Sequence, residues 1–217
     1  MRVVAPLSAN LNRLVIATRN RGKASEIKTI LGKLPLLLVS LNDFDVDEAE
    51  ENEDSFVGNA ISKARYYANS TNEYVLADDS GLEVAALGGA PGVLSARYAG
   101  AEASDHERRV KLLGELASIS RVDRSARFVC AVALAKPNQE LLTVTEGFCD
   151  GSICESPRGE SGFGYDPIFV PEGYAQTFAE LPEEVKNQIS HRGKALQAMR
   201  DFLLSNMSLL DRVSLGS

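Results

Sequence analysis

The chain has 217 residues, with 23 basic and 30 acidic side chains, a formal net charge of -7 and 44% apolar residues. That composition excludes a low-complexity disordered chain and suits one domain, or two closely joined lobes, around a sizeable core. No apolar run approaches the roughly 18 residues of a membrane span, and the basic surplus of a duplex nucleic-acid binder is missing.

The acidity is local. Eight acids fall between Asp43 and Asp54, and the other 22 face 23 bases. A few placed cations can therefore still serve a small anionic ligand. Met1 to Arg13 carries one early charge and a short apolar patch broken by Pro6. This is too little for a secretory leader and predicts a cytoplasmic protein. Cys130, Cys149 and Cys154 form no CxxC pair, and with only His106 and His191 beside them a zinc site is not expected.

In chain order, Leu14 to Thr18 is a short apolar strand ending in the polar turn Arg19 to Gly22. Ile27, Ile30, Leu31 and Leu34 then share one helical face. Leu36 to Val39 reads as a strand and the acidic segment as a loop. Asp54 or Ser55 caps a helix through about Ala68. Tyr74 to Ala77 is a strand running into an Asp78-Asp79-Ser80-Gly81 turn, with another strand from Leu82 to Ala86. Gly88 to Gly92 is irregular. Ser104 and Glu107 form a capping box for a helix through about Leu116. Ala126 to Ala135 and Leu141 to Phe148 make a hairpin, and Asp150-Gly151 signals a second tight turn. After the glycine-rich Pro157 to Pro167 come the short strand Ile168 to Val170, a helix from about Pro182 and a last one from Ser190 to about Leu204. Strands joined by both helices and hairpins imply an α/β fold with a mixed sheet.

Four places can carry chemistry. Thr18-Arg19-Asn20-Arg21-Gly22-Lys23 lies at a strand-to-helix turn, where unpaired N–H groups and three cations suit a phosphate. A Walker A loop would need Gly at 17 and Ser or Thr at 24; both are Ala. The bland alternative is a polar turn with solvated cations. Asp78 and Asp79, adjacent at a strand end, point different ways. One can face a cleft to bind nucleotide-held Mg²⁺ or take a proton from water, or both can simply brace a turn. In the acidic loop, one glutamate of Glu50 and Glu51 turned inward suffices as a metal ligand, the other acids being solvated. Finally, Phe163-Gly164-Tyr165-Asp166 offers aromatic faces for a flat base, or a loop plug. Lys186 and His191 lie about 140° apart on an unbroken helix. A new N-cap at Ser190 would let them converge and place His191-Arg192 at a helix start as donors.

Six blocks in order then resemble the inosine triphosphate pyrophosphatase family of non-canonical purine nucleotide pyrophosphatases. They are Thr18-x-Asn20-x-Gly22-Lys23-x-x-Glu26, Asn59-Ala60-x-x-Lys63-Ala64, Ala77 to Leu82, Gly88 to Gly92 with Ser95 to Tyr98, Gly162 to Pro167, and Ser190-His191-Arg192. The resemblance runs from Leu14 to about Leu203. It implies an elongated mixed sheet flanked by helices, with two lobes and a central cleft, over a single domain at 14–205. Residues 1–13 are then an extension and 206–217 a tail. It further implies a homodimer, Mg²⁺ as cofactor, and hydrolysis of ITP, dITP and XTP to the monophosphate and pyrophosphate. At matching positions, Thr18, Arg19, Asn20, Arg21, Gly22 and Lys23 would bind the triphosphate. Asp79 would be proton acceptor and metal ligand, with Glu50 as partner ligand. Ser80, Phe163, Gly164, Tyr165, Asp166, Lys186, His191 and Arg192 would contact the nucleotide. Arg19 departs from the family in adding a cation, and Gly58 in lacking an acid. A non-catalytic nucleotide sensor would use the same cradle yet release no pyrophosphate, and a Maf-like pyrophosphatase, related in fold, would prefer modified pyrimidine or other nucleotides.

Overall fold

Six strands form one mixed sheet in the order β2-β1-β3-β4-β5-β6 in a computed structural model that describes residues 12–119 and 123–210. β1 (Asn12–Ile16) pairs in parallel with β2 (Leu36–Ser40) and β3 (Tyr74–Val84). From β3 onward the pairing is antiparallel through β4 (Ser125–Ala135), β5 (Leu141–Ile153) and β6 (Phe169–Pro171). This is the expected α/β fold with a mixed sheet. Most of the expected extension and tail, residues 1–11 and 211–217, lies outside the described residues.

Side chains alternate across a strand, so consecutive residues belong to opposite layers. On one face Leu14, Ile16, Leu76, Cys130, Val132 and Leu134 pack against α1 (Arg21–Leu31) and α5 (His191–Ser205). On the other, Val15, Val75, Ala77, Val129, Ala131 and Ala133 pack against α2 (Phe56–Thr71). The small residues on α2 and β4 let that helix lie close to the sheet. A third cluster joins the far end of β3 and β4 to α3 (Asp105–Ala117) through Leu82, Val84, Phe128, Leu112 and Leu116. Leu210, in a 3-10 turn over Met207–Leu210, is buried in the first cluster.

Caps set the helix starts as the sequence predicts. Ser55, Ser104 and Ser190 each accept a bond from a first-turn N–H. Ser190 also ends α4 (Glu183–Ile189), so one helix stops and another starts between Lys186 and His191. The expected convergence of the two side chains does not follow: Lys186 pairs with Glu26 and Asp166, and His191 packs on Phe128.

Two expected turns are absent. Asp78 to Gly81 is interior strand, because β4 pairs with β3 without interruption from Val75 to Val84 and partners on both faces neutralise the carboxylates. Asp150-Gly151 likewise continues β5. A side chain at Gly151 would collide with the Val170 carbonyl, so glycine there permits the close approach of β6.

Candidate active site

Asn20 caps α1, its Oδ1 accepting from the Lys23 N–H at 3.0 Å, which sets Lys23 in the first turn facing β3. From there a line of alternating charge crosses the buried layer between α1, α4 and α5. Lys23 Nζ lies 2.9 Å from Asp78 Oδ2, and Arg192 Nε reaches the same oxygen at 3.3 Å. Arg192 Nη1 donates to Glu26 Oε2 at 2.6 Å and Nη2 to Ser80 Oγ at 2.6 Å. Lys186 Nζ lies 2.8 Å from Glu26 Oε1 and 2.7 Å from Asp166 Oδ2. Burial alone would raise the Asp78 pKa, but Lys23, Arg192 and Lys63 outweigh it and hold the carboxyl well below the ordinary range. Asp78 Oδ1 has no hydrogen-bond partner.

Asp79 faces the other layer. Asn59 Nδ2 donates to its Oδ2 at 3.1 Å, and Lys63 Nζ is 3.3 Å from its Oδ1. The same ammonium holds Glu51 Oε1 at 2.7 Å. Asn59 and Lys63 are four apart on α2 and share its sheet-facing side. Burial raises the Asp79 pKa, and Glu51 and Asp78 add to the rise against the opposing pull of Lys63 and Lys23. Lys63 stays charged: burial works against its proton, but Asp79, Asp78 and Glu51 hold it.

The aromatic loop closes the site. The Phe163 ring packs on the backbone of Gly22, where a side chain would collide with it. Its centroid lies 4.8 Å from Lys186 Nζ and 5.5 Å from the Arg192 guanidinium. His191 stacks on Phe128 with centroids 4.5 Å apart and planes within 5°. Burial, then Arg192 and Lys186, keep its pKa well below the usual histidine value, so the ring is neutral. Its Nδ1 is buried without a partner.

One cavity of about 130 Å³ gathers these groups. Asn20, Lys23, Asp79 and Ser80 line one part of it; Phe163, Gly164, Tyr165, Asp166, His191 and Arg192 line another. A second cavity of about 470 Å³ is bordered by Gly22, Phe163 and Lys186. Phe163 is the wall they share, and Lys186 borders only the second. Ligand pockets typically span about 300–1,000 Å³, so the first cavity is small for such a site and the second is within that range.

Not every expected residue arrives. Arg19 turns away, donating to the Val46 carbonyl at 2.8 Å. Arg21 is exposed at the first position of α1, and Thr18 Oγ1 accepts from the Asn20 N–H at 3.2 Å. Glu50 is exposed and accepts from Asn52 at 2.8 Å; Glu51 takes the place at the cavity that Glu50 was expected to hold. The backbone decides between these neighbours. Asn59 Oδ1 accepts from the Glu53 N–H, and Arg97 donates to the Glu51 carbonyl at 2.9 Å, so the loop is pinned with Glu51 inward. Glu26, Asn59 and Lys63 stand in the motif blocks, but motif spacing alone assigns them no role; their buried ion pairs and hydrogen bonds do. Phe128, Asp105 and Arg108 also line the cavity and belong to no motif that sequence reading singled out for chemistry.

The sequence pattern of the Ham1 family matches residues 14–202, and the chain belongs to that family. A dITP/XTP pyrophosphatase of Geobacter sulfurreducens is 50% identical over 194 residues, covering 89% of this chain and 97% of that one. A dITP/XTP pyrophosphatase of Bacillus subtilis is 46% identical over 194 residues, covering 89% of this chain and 98% of its own. A solved HAM1 protein from Coxiella burnetii superposes with a TM-score of 0.83 at 43% identity, covering 90% of this chain and all of that one.

Proposed function

We propose that this chain hydrolyses the non-canonical purine nucleoside triphosphates ITP, dITP and XTP to the monophosphate and pyrophosphate. One observation carries the reading. A single cavity joins a basic helix start (Asn20, Lys23), a carboxylate pair (Asp79, Glu51) and an aromatic wall beside a second helix start (Phe163, His191, Arg192). These are complementary to the polyphosphate, the reacting centre and the flat base of one ligand. The names carried by the relatives point the same way.

The residues fit a divalent cation of the Mg²⁺ type. Such an ion takes one or two carboxylates and completes its shell with phosphate oxygens and water. Asp79 and Glu51 supply two carboxylates; no group of three or more His, Cys, Asp or Glu suited to a metal occurs among the described residues. Asp79 and Glu51 would hold the ion, which when bound would offset negative charge on the polyphosphate.

Asp79 accepts a proton at a carboxylate oxygen as water adds to the α-phosphorus; the bond from that phosphorus to the bridging oxygen breaks, and pyrophosphate leaves with the electron pair. Asn59 and Lys63 orient the Asp79 carboxylate for this role. Lys23 meets the growing charge on the leaving group, a contact stronger in the transition state than in the ground state. At the base, the His191 and Arg192 backbone N–H groups occupy the first two positions of α5, where no intrahelical acceptor exists. They meet the C6 oxygen of hypoxanthine or xanthine as donors and the adenine amino group as a mismatch, which can separate substrates by about 10⁴ or more. Arg192 itself is tied to Asp78, Glu26 and Ser80 and serves as framework. Thr18, Arg19, Arg21 and Glu50 are left out of the machinery.

A homodimer, as the motif resemblance implies, and a cytoplasmic location are part of this proposal. No helix among the described residues is long and apolar enough to cross a membrane. Pyrophosphate release from ITP and XTP with Mg²⁺ tests the reading, and a protein that binds these nucleotides but releases none is a sensor instead.

A further inference from the structure

The geometry points to Arg109 as a positioning residue for the base wall, acting through the Gly164 peptide. This rests on the function proposed above. Gly164 stands between the two aromatic residues of the loop, with φ at +59°. α3 grips its peptide groups from both sides. Asp105 Oδ2 accepts from the Gly164 N–H at 2.7 Å, and Arg109 Nη1 donates to the Gly164 carbonyl at 2.6 Å. The two side chains are four apart and share one face of α3. Further links tie the same corner together. Tyr165 donates its hydroxyl proton to the Ser95 carbonyl at 3.0 Å, and Arg108 donates to the Ala96 carbonyl at 2.6 Å and to Asp105.

Arg109 does not line the cavity. Its Nε is buried without a hydrogen-bond partner, an arrangement that costs stability. Its Nη1 contact is with the Gly164 carbonyl. That contact fixes one end of the Phe163–Gly164 segment, and Phe163 is the wall that separates the two cavities. The Phe163–Gly164 and Gly164–Tyr165 peptide groups are each held by α3, the first through its N–H and the second through its C=O, which anchors the backbone that carries the Phe163 ring. Losing the anchor would spread the ring over several positions, and ordering it again would be charged to nucleotide binding. The phosphate end keeps supports of its own, the Asn20 cap on α1 and the Lys23–Asp78 pair.

The test is steady-state kinetics of Arg109→Ala and Arg109→Lys with ITP and Mg²⁺, together with competitive inhibition by inorganic tripolyphosphate, which has no base. For Arg109→Ala we expect KM for ITP to rise about tenfold with kcat within about twofold of wild type, and the tripolyphosphate inhibition constant to stay unchanged. Arg109→Lys, which keeps a donor, should recover most of the KM. Should Arg109→Ala not fold, Arg109→Met, which keeps the length without a donor, is read by the same criteria. An unchanged KM overturns the assignment, as does a parallel rise in KM and the tripolyphosphate constant, which would signal general loosening. Failure of Arg109→Lys to recover KM also overturns it. A wild-type protein that releases no pyrophosphate from ITP overturns the proposed function itself, whereas an active wild type with an indifferent Arg109→Ala overturns only the positioning role.

Discussion

Asp78 and Asp79 are neighbours in sequence, yet their carboxylates lie in opposite layers of the protein, one against Lys23 and Arg192 and the other against Asn59 and Lys63. The alternation of a β-strand is the whole cause. It also separates their chemistry. Asp78, surrounded by three cations, is fixed as an anion, while Asp79, buried beside Glu51 and Asp78, has a raised affinity for a proton. Pairs of carboxylates whose environments push their pKa values apart divide the structural and the proton-transfer roles between them.

Asp79→Asn keeps the size of the side chain and loses the proton acceptor. Turnover of ITP should fall by about 10²–10⁴ while nucleotide binding persists. Pyrophosphate release and equilibrium binding, measured on the same preparation, separate the two effects. Wild-type turnover would remove Asp79 from the reaction.

Glu51→Gln and Glu50→Gln should differ. Glu51 lines the cavity and shares Lys63 with Asp79, whereas Glu50 is exposed and bonded to Asn52. Titrating activity with Mg²⁺ should show Glu51→Gln needing at least about tenfold more metal, with Glu50→Gln at wild type. The reverse order would return the ligand role to Glu50.

Glu26→Gln removes one acid from between two buried cations, Lys186 and Arg192. Breaking a buried pair in this way costs about 3 kcal/mol; here Asp166 and Asp78 still hold the two cations, which favours no larger value. Despite burial, which works the other way, Arg192 and Lys186 lower the Glu26 pKa. Its stabilisation is therefore complete above the unfolded value of about 4 and is lost as pH falls through the lower folded value. Asp79 and Asp166, whose pKa values are raised, act with the opposite sign: their cost at neutral pH is relieved on protonation. The Tm difference between wild type and Glu26→Gln isolates Glu26; it should be largest at neutral pH and shrink below about pH 4. A difference independent of pH would show that packing, not charge, is lost.

Phe163→Ala should raise KM for ITP by about tenfold or more, because a base–aromatic stack contributes about 1–3 kcal/mol. Steady-state kinetics read this directly. An unchanged KM would make Phe163 only a plug between the two cavities.

Much of this was legible in the sequence. The caps at Ser55, Ser104 and Ser190 are local chemistry, and each starts its helix where local spacing places it. The break at Ser190 follows from the same local chemistry, but the partners of Lys186 and His191 do not. What local signals could not show was pairing across the sheet. Asp-Asp-Ser-Gly and Asp-Gly are turn formers in isolation, but ladders with β4 and β6 hold both segments extended. The choice of Glu51 over Glu50 depends on Asn59 and Arg97 pinning the loop from 6 and 46 residues away. The Asp105–Arg109 grip on Gly164 spans 59 and 55 residues and leaves no trace in local spacing.

The most direct measurement is pyrophosphate release from ITP, XTP, GTP and ATP, each with and without Mg²⁺. Rapid release from ITP and XTP only when Mg²⁺ is present, with ATP slower by about 10⁴, is the expected result. Release from ATP at a similar rate, or release from ITP undiminished by chelation of the metal, would contradict both the base selection assigned to the α5 start and the carboxylate–metal site at Asp79 and Glu51.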